Sequence, residues 1–121
     1  MSRTVNAERV NDRAKLIMHR MIARRLVSDP ALLAGARQRI RDALAGGGAL
    51  ESAREWDQLL QNDPQRIRHL LTRRDETMDR LRVSSPLPVL AGLRDPDLRR
   101  RIWRKARLGL SAVADAQNTF R

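Results

Sequence analysis

The chain has 121 residues, 41% of them hydrophobic but only 2% aromatic, and it carries 25 basic against 14 acidic side chains, a net charge of +11. No cysteine is present, which excludes disulfides, thiolate metal sites and cysteine catalysis and fits a reducing, cytoplasmic setting. The length suits one domain with an aliphatic core, and the excess of base over acid points to nucleic acid, an anionic membrane surface or an acidic protein as partner.

Val10, Ala14, Ile17, Met18, Met21 and Ile22 recur at three- and four-residue steps and predict a first helix over residues 5–27. Arg9, Arg13, Arg20 and Arg24 lie mostly on another face of it. Asp29-Pro30, Asp63-Pro64 and Asp95-Pro96 each read as a helix start. Aspartate caps the first free amides, and proline suits the first helical position because its missing N–H would be unbonded there. The spacing resembles a helical repeat, but the three stretches share no apolar pattern, which argues against a solenoid. The second helix runs from Pro30 through Leu32, Leu33, Ala36, Ile40, Ala43 and Leu44 to a stop at Gly46-Gly47-Gly48. A third is expected over residues 49–61, with Ala53, Trp56, Leu59 and Leu60 inward. A short fourth begins at Pro64 and carries Ile67, Leu70 and Leu71.

Thr72-x-x-Asp75 reads as a capping-box variant that opens a fifth helix, with Met78 and Leu81 on its core side. Ser84-Ser85-Pro86-Leu87-Pro88 predicts a break, since two prolines remove donors and fix φ. A last helix starts at Pro96 and continues to about Asn118. No segment alternates strictly, so no strand is expected. The expected fold is all-α, one domain over residues 1–121, a single compact bundle of five to six helices with a basic C-terminal helix at 96–118.

Lys15 and Lys105 are the only lysines. Arginine-favouring codons explain Arg over Lys, but not base over acid. The excess sits at the ends: residues 1–44 hold 10 basic and 4 acidic side chains, residues 45–80 hold 6 and 7, and residues 81–121 hold 9 and 3. The longest uncharged run, residues 83–93, is too short and too broken by proline to span a bilayer. The N-terminus lacks the apolar block of a secretion signal. Its Arg-rich amphipathic character resembles a transit peptide, against which Glu8 and Asp12 argue.

Catalytic and metal chemistry find little footing. His19 and His69 are isolated, so no metal site or cofactor is expected. Gly46-Gly47-Gly48 lacks the Lys-Ser/Thr of a phosphate loop. Arg13 and His19 bracket five residues, a spacing shared with helical ribonucleases of the HEPN class, in which His is the acid or base and Arg holds phosphate. Ala14 stands where that class has a polar residue, and chance accounts for the spacing in so Arg-rich a chain. Residues 99–107 are more specific. Arg99, Arg100, Arg101, Arg104, Lys105 and Arg107 form a candidate nucleic-acid-binding set, or else a plain solvated face, with Leu98, Ile102 and Ala106 left for packing. Trp103 reads as core, with a stacking platform or an interface anchor as alternatives.

Three segments carry a family resemblance. His19-Arg20-Met21-Ile22-Ala23-Arg24-Arg25-Leu26 leads into Asp29-Pro30-Ala31-Leu32-Leu33 and Ala36-Arg37; Glu55-Trp56-Asp57-Gln58-Leu59-Leu60 follows; Arg80-Leu81-Arg82-Val83-Ser84-Ser85-Pro86-Leu87 closes the set. Together they span about the first two-thirds of the chain. In these segments the chain resembles a family of short helical bacterial proteins associated with toxin–antitoxin operons, as the antitoxin component. Leu87-Pro88 departs from the Phe expected after Pro86, Gly92 serves for the family's loop glycine, and the basic tail is longer. With no catalytic set among these residues, no enzymatic activity is expected. The resemblance implies stoichiometric inhibition of a cognate acidic toxin, with Arg80, Arg82, Ser84, Ser85, Pro86 and Leu87 as the partner-binding segment. It also implies a second role on operator DNA for the basic ends. The rival expectation is a general nucleic-acid-binding protein without a toxin; a homo-oligomer stays open.

Overall fold

A computed structural model describes residues 6–47 and 51–119, and over 111–119 the backbone. Among the described residues there are seven helices and no strand: α1 (Ala7–Arg25), α2 (Pro30–Ala45), α3 (Glu51–Leu60), α4 (Pro64–Leu71), α5 (Glu76–Val83), α6 (Leu87–Leu90) and α7 (Pro96–Thr119). The all-α class is as expected, and the count of five to six is corrected to seven. The added element is α6. Its Pro88 sits in the first turn, where the missing N–H leaves no bond unmade, so the segment expected only to break a helix also starts one. Gly92 ends α6 at φ +73°, with Leu93 N–H donating to Pro88 O at 2.9 Å and Gly92 N–H to Val89 O at 3.2 Å, a Schellman closure.

All three Asp-Pro pairs start helices. Asp63 caps Arg66 N–H at 2.9 Å and Asp95 caps Leu98 N–H at 3.1 Å. Asp29 makes no such bond and instead takes Arg25 Nε–H at 3.2 Å. The capping box expected at Thr72 is corrected. Thr72 closes α4, and Asp75 itself is the N-cap of α5, accepting Met78 N–H at 2.8 Å. The expected starts at residue 5 of the first helix and residue 49 of the third lie outside the described residues.

One hydrophobic cluster draws on all seven helices. Val10, Ile22, Leu60, Ile67, Leu71 and Leu87 are its largest fully buried aliphatic members, and the Trp56 side chain is fully enclosed. The central element is α1, which packs against α4, α5, α6 and α7, while α2 packs against α3 and α6. Because several helices cover α1, Leu16 and His19 are buried beyond the stripe that periodicity marks. By contrast, among the described residues α7 packs against α1 and no other helix, and it buries the narrow line of Ile102 and Ala106 with Leu98 half-buried.

Arginine supplies much of the polar framework. Helix C-termini leave carbonyls without intrahelical partners, and three arginines from distant elements fill that need. Arg37 Nε donates to Leu60 O at the end of α3 (2.8 Å), Arg82 Nη1 to Leu71 O at the end of α4 (3.0 Å), and Arg25 Nη1 to Ala91 O after α6 (2.6 Å). A cation there also meets the negative end of the helix dipole.

Candidate nucleic-acid interface

The segment expected to enter a partner, residues 80–87, is only partly at the surface: Arg80, Val83 and Ser84 are exposed, Ser85 is half-buried, and Leu81, Arg82, Pro86 and Leu87 are buried. Arg80 is exposed but forms a two-bond pair with Glu55, Nη1–Oε1 3.1 Å and Nη2–Oε2 2.7 Å, which holds the Glu55 carboxyl below its usual range. Arg82 is 1% exposed. It lies four residues after Met78 and one after Leu81, on the face that α5 turns to the core. Besides Leu71 O it donates to Arg73 O at 2.9 Å and pairs with Asp79, and its Nε has no acceptor. Its expected role in a toxin's cleft is therefore corrected: the guanidinium is spent inside the molecule. Pro86 and Leu87 are buried as well, Leu87 completely.

The two serines hold a connector in place. Ser84 Oγ donates to Leu81 O at 3.2 Å and accepts Trp56 Nε1–H at 3.3 Å, while the same indole N–H reaches Leu81 O at 3.0 Å. Ser85 Oγ meets His19 Nε2 at 2.8 Å and accepts Leu87 N–H at 3.2 Å. His19 Nδ1 lies 2.6 Å from Lys15 O, which only accepts, so Nδ1 carries the proton and Nε2 accepts from the serine hydroxyl. Burial, with the nearby Arg82 and Lys15 charges adding to it, lowers the His19 pKa to about 4. The Arg13-x5-His19 spacing does not create a reactive pair: His19 is fully buried and both ring nitrogens are engaged within the fold. Among the described residues no group of three His, Asp or Glu side chains is placed to hold a metal ion.

Residues 84–86 also wall a groove of about 270 Å³, shared with Arg39, Ile40 and Ala43 of α2 and Ser52, Ala53 and Trp56 of α3.

The α7 set is arranged differently. Arg99, Arg100, Arg101, Arg104, Lys105 and Arg107 are all exposed. Arg99 Nε donates to Leu93 O at 3.2 Å, and Arg100 pairs with Asp97 at the surface, where such a pair contributes little. Arg101, Arg104, Lys105 and Arg107 form no ion pair among the described residues. Trp103, expected in the core, is corrected to the surface at 37% exposure, with its indole N–H donating to Asn11 Oδ1 of α1 at 3.0 Å. It stands one position past Ile102, beyond the edge of the stripe that α1 covers. Arg99, Arg100, Trp103, Arg104 and Arg107 border a surface hollow of about 500 Å³. The turns of α7 thus bring the aromatic ring and four guanidiniums together on one side of the helix.

Asn11 had no signal in the sequence, since its role depends on α1 lying against α7. A second cationic cluster is foreshadowed by the Arg13, Arg20 and Arg24 spacing on α1. Burial and the charges of Arg74, Arg13, Arg82 and Arg24 push Arg20 below its ordinary value, and Arg74 joins this group from the α4–α5 loop.

No helix among the described residues is long and apolar enough to cross a membrane. Comparison of the chain with protein-family models, with curated proteins and with solved structures finds no match in any of the three.

Proposed function

We propose that the protein is a non-catalytic nucleic-acid-binding protein that grips phosphates with the outward side of α7. The observation that carries this reading is the exposed Trp103 among Arg99, Arg100, Arg104 and Arg107 on a helix that packs against α1. Guanidiniums match phosphate geometry and stack on flat groups. A plain solvated face needs neither a half-exposed indole nor six basic side chains against the lone Asp97 over residues 96–110.

The test is the salt dependence of binding. Each neutralised phosphate releases counterions, so the logarithm of the association constant falls with the logarithm of salt by roughly 0.7 to 0.9 per contact. Replacing Arg100, Arg101, Arg104 and Arg107 by Gln is expected to lower affinity and flatten that slope by about 2 to 4 if most of these residues touch phosphate. An unchanged slope, or no binding at low salt, overturns the reading.

A second reading keeps the antitoxin resemblance and moves its contact site. The groove between α2, α3 and residues 84–86 supports it, because Arg39, Ser84 and Ser85 offer polar contacts beside the apolar Ile40, Ala43 and Val89. On this reading a toxin's acidic side chain enters the groove, and α7 acts on operator DNA. Co-expression with an adjacent toxic reading frame tests it. Rescue and co-purification are expected, weakened by Arg39→Glu and unaffected by Arg80→Glu. A harmless neighbour that never co-purifies rejects it.

A further inference from the structure

We infer that the α7 surface takes single-stranded nucleic acid, with one unpaired base stacked on the Trp103 indole and Asn11 holding that ring in position. The inference deepens the nucleic-acid reading above and rests on it.

The ring is displayed and braced at once. Trp103 is 37% exposed, yet its Nε1–H donates to Asn11 Oδ1 at 3.0 Å across the α1–α7 contact. That bond uses the only polar atom of the indole. With that atom engaged, what the exposed side chain has left to offer a ligand is the carbon surface of its ring. A platform already held in place loses little freedom when a base lands on it.

The charges around the ring suit a strand. Arg100, Trp103, Arg104 and Arg107 follow one another at helical spacing, and the hollow they share with Arg99 has a volume of about 500 Å³. From Arg100 to Arg107 the helix rises about 10 Å, enough to run alongside roughly two to three consecutive phosphates of a strand. A base flanked by phosphates on both sides meets the ring with guanidiniums on both sides of it. Arginines beside an aromatic ring are the chemistry that binds single strands with little sequence preference.

The alternatives fit less well. In a duplex every base is already stacked on its neighbours, so Trp103 gains contact only by unstacking a step. An acidic protein surface satisfies the arginines but leaves the indole face without a flat partner.

The experiment uses the full chain and four probes: a short oligothymidylate, an abasic strand with the same number of phosphates, the corresponding duplex, and an oligoglutamate of equal charge. Trp56 is fully buried, so a fluorescence change on binding reports Trp103, and Trp103→Phe verifies the assignment. The expected result is quenching by oligothymidylate and a preference for it over the abasic strand of about tenfold to a hundredfold, the effect of one stacked base. Trp103→Leu is expected to abolish that preference while keeping abasic binding, and Trp103→Phe to retain part of it. Asn11→Ala is expected to reduce the preference without altering abasic affinity, the mark of a positioning residue. Circular dichroism of each variant verifies the helical fold. Equal affinity for abasic and thymidylate strands, or preference for the duplex, overturns the stacking inference and leaves the phosphate grip standing. Equal affinity for oligoglutamate overturns the inference in favour of an acidic protein partner. No salt-sensitive binding to any nucleic acid overturns both.

Discussion

His19 on α1 and Ser85 in the α5–α6 connector meet at 2.8 Å across 66 positions of sequence, and the histidine accepts that bond only when it is neutral. This places a proton-sensitive joint between the central helix and the segment that leads into α6.

Acid is therefore expected to weaken the fold. The folded-state pKa of His19 is lowered to about 4 from 6.5, so between these values the unfolded chain binds the extra proton. Stability from this group is complete above pH 6.5 and is lost progressively as the pH falls toward 4. From pH 7.5 to pH 5 the loss is about 2 kcal/mol. Urea unfolding at the two pH values measures it, and His19→Gln is expected to flatten the dependence from a lower starting stability. A pH-independent midpoint in the native chain contradicts this account.

Arg80 and Arg82 are expected to separate cleanly. Arg82→Ala leaves the Leu71 and Arg73 carbonyls without their donor and costs about 3 kcal/mol. Arg80→Ala removes an exposed pair with Glu55 and leaves the unfolding midpoint nearly unmoved. Chemical denaturation of both variants provides the comparison, and equal midpoints would refute the assignment of Arg82 to the interior.

Gly92→Ala isolates a backbone effect. Nothing lies within 4 Å of the added methyl group, so no clash contributes, but φ is +73°. The cost is about 1 kcal/mol, carried by the left-handed conformation alone. The α7 surface lies elsewhere, so nucleic-acid affinity should be unchanged in the folded variant.

The arginines divide into two functional groups by what they touch. Arg37→Ala is expected to lower the melting temperature while leaving oligonucleotide affinity intact, because its guanidinium is committed to Leu60 O and Asn62 O. Arg104→Ala and Arg107→Ala are expected to do the reverse. Paired thermal melts and binding titrations measure both quantities, and a loss of affinity in Arg37→Ala without a loss of stability would break the division.

What local chemistry dictates was legible in the chain. Asp-Pro pairs mark the starts of α2, α4 and α7, glycine marks the end of α2, and the Leu98, Ile102 and Ala106 spacing gives the packed side of α7. Each depends on residues within a few positions of one another, through capping, fixed φ or helical period. The number of helices that would cover each stripe was not local. Periodicity defines a face, but burial depends on what lies against it. Four helices surround α1, so His19 and Leu16 are enclosed although they fall outside its apolar stripe. Among the described residues one helix supports α7, so Trp103, a single position from buried Ile102, stays at the surface. Arg82 shares a face with Met78 and Leu81, a signal present in the sequence, yet charge alone gives no hint that carbonyls at the end of α4 await it. The net charge was thus plain from composition, whereas the division between arginines that close helices and arginines that face outward was decided only by tertiary packing, which determines whether a guanidinium meets a carbonyl or water.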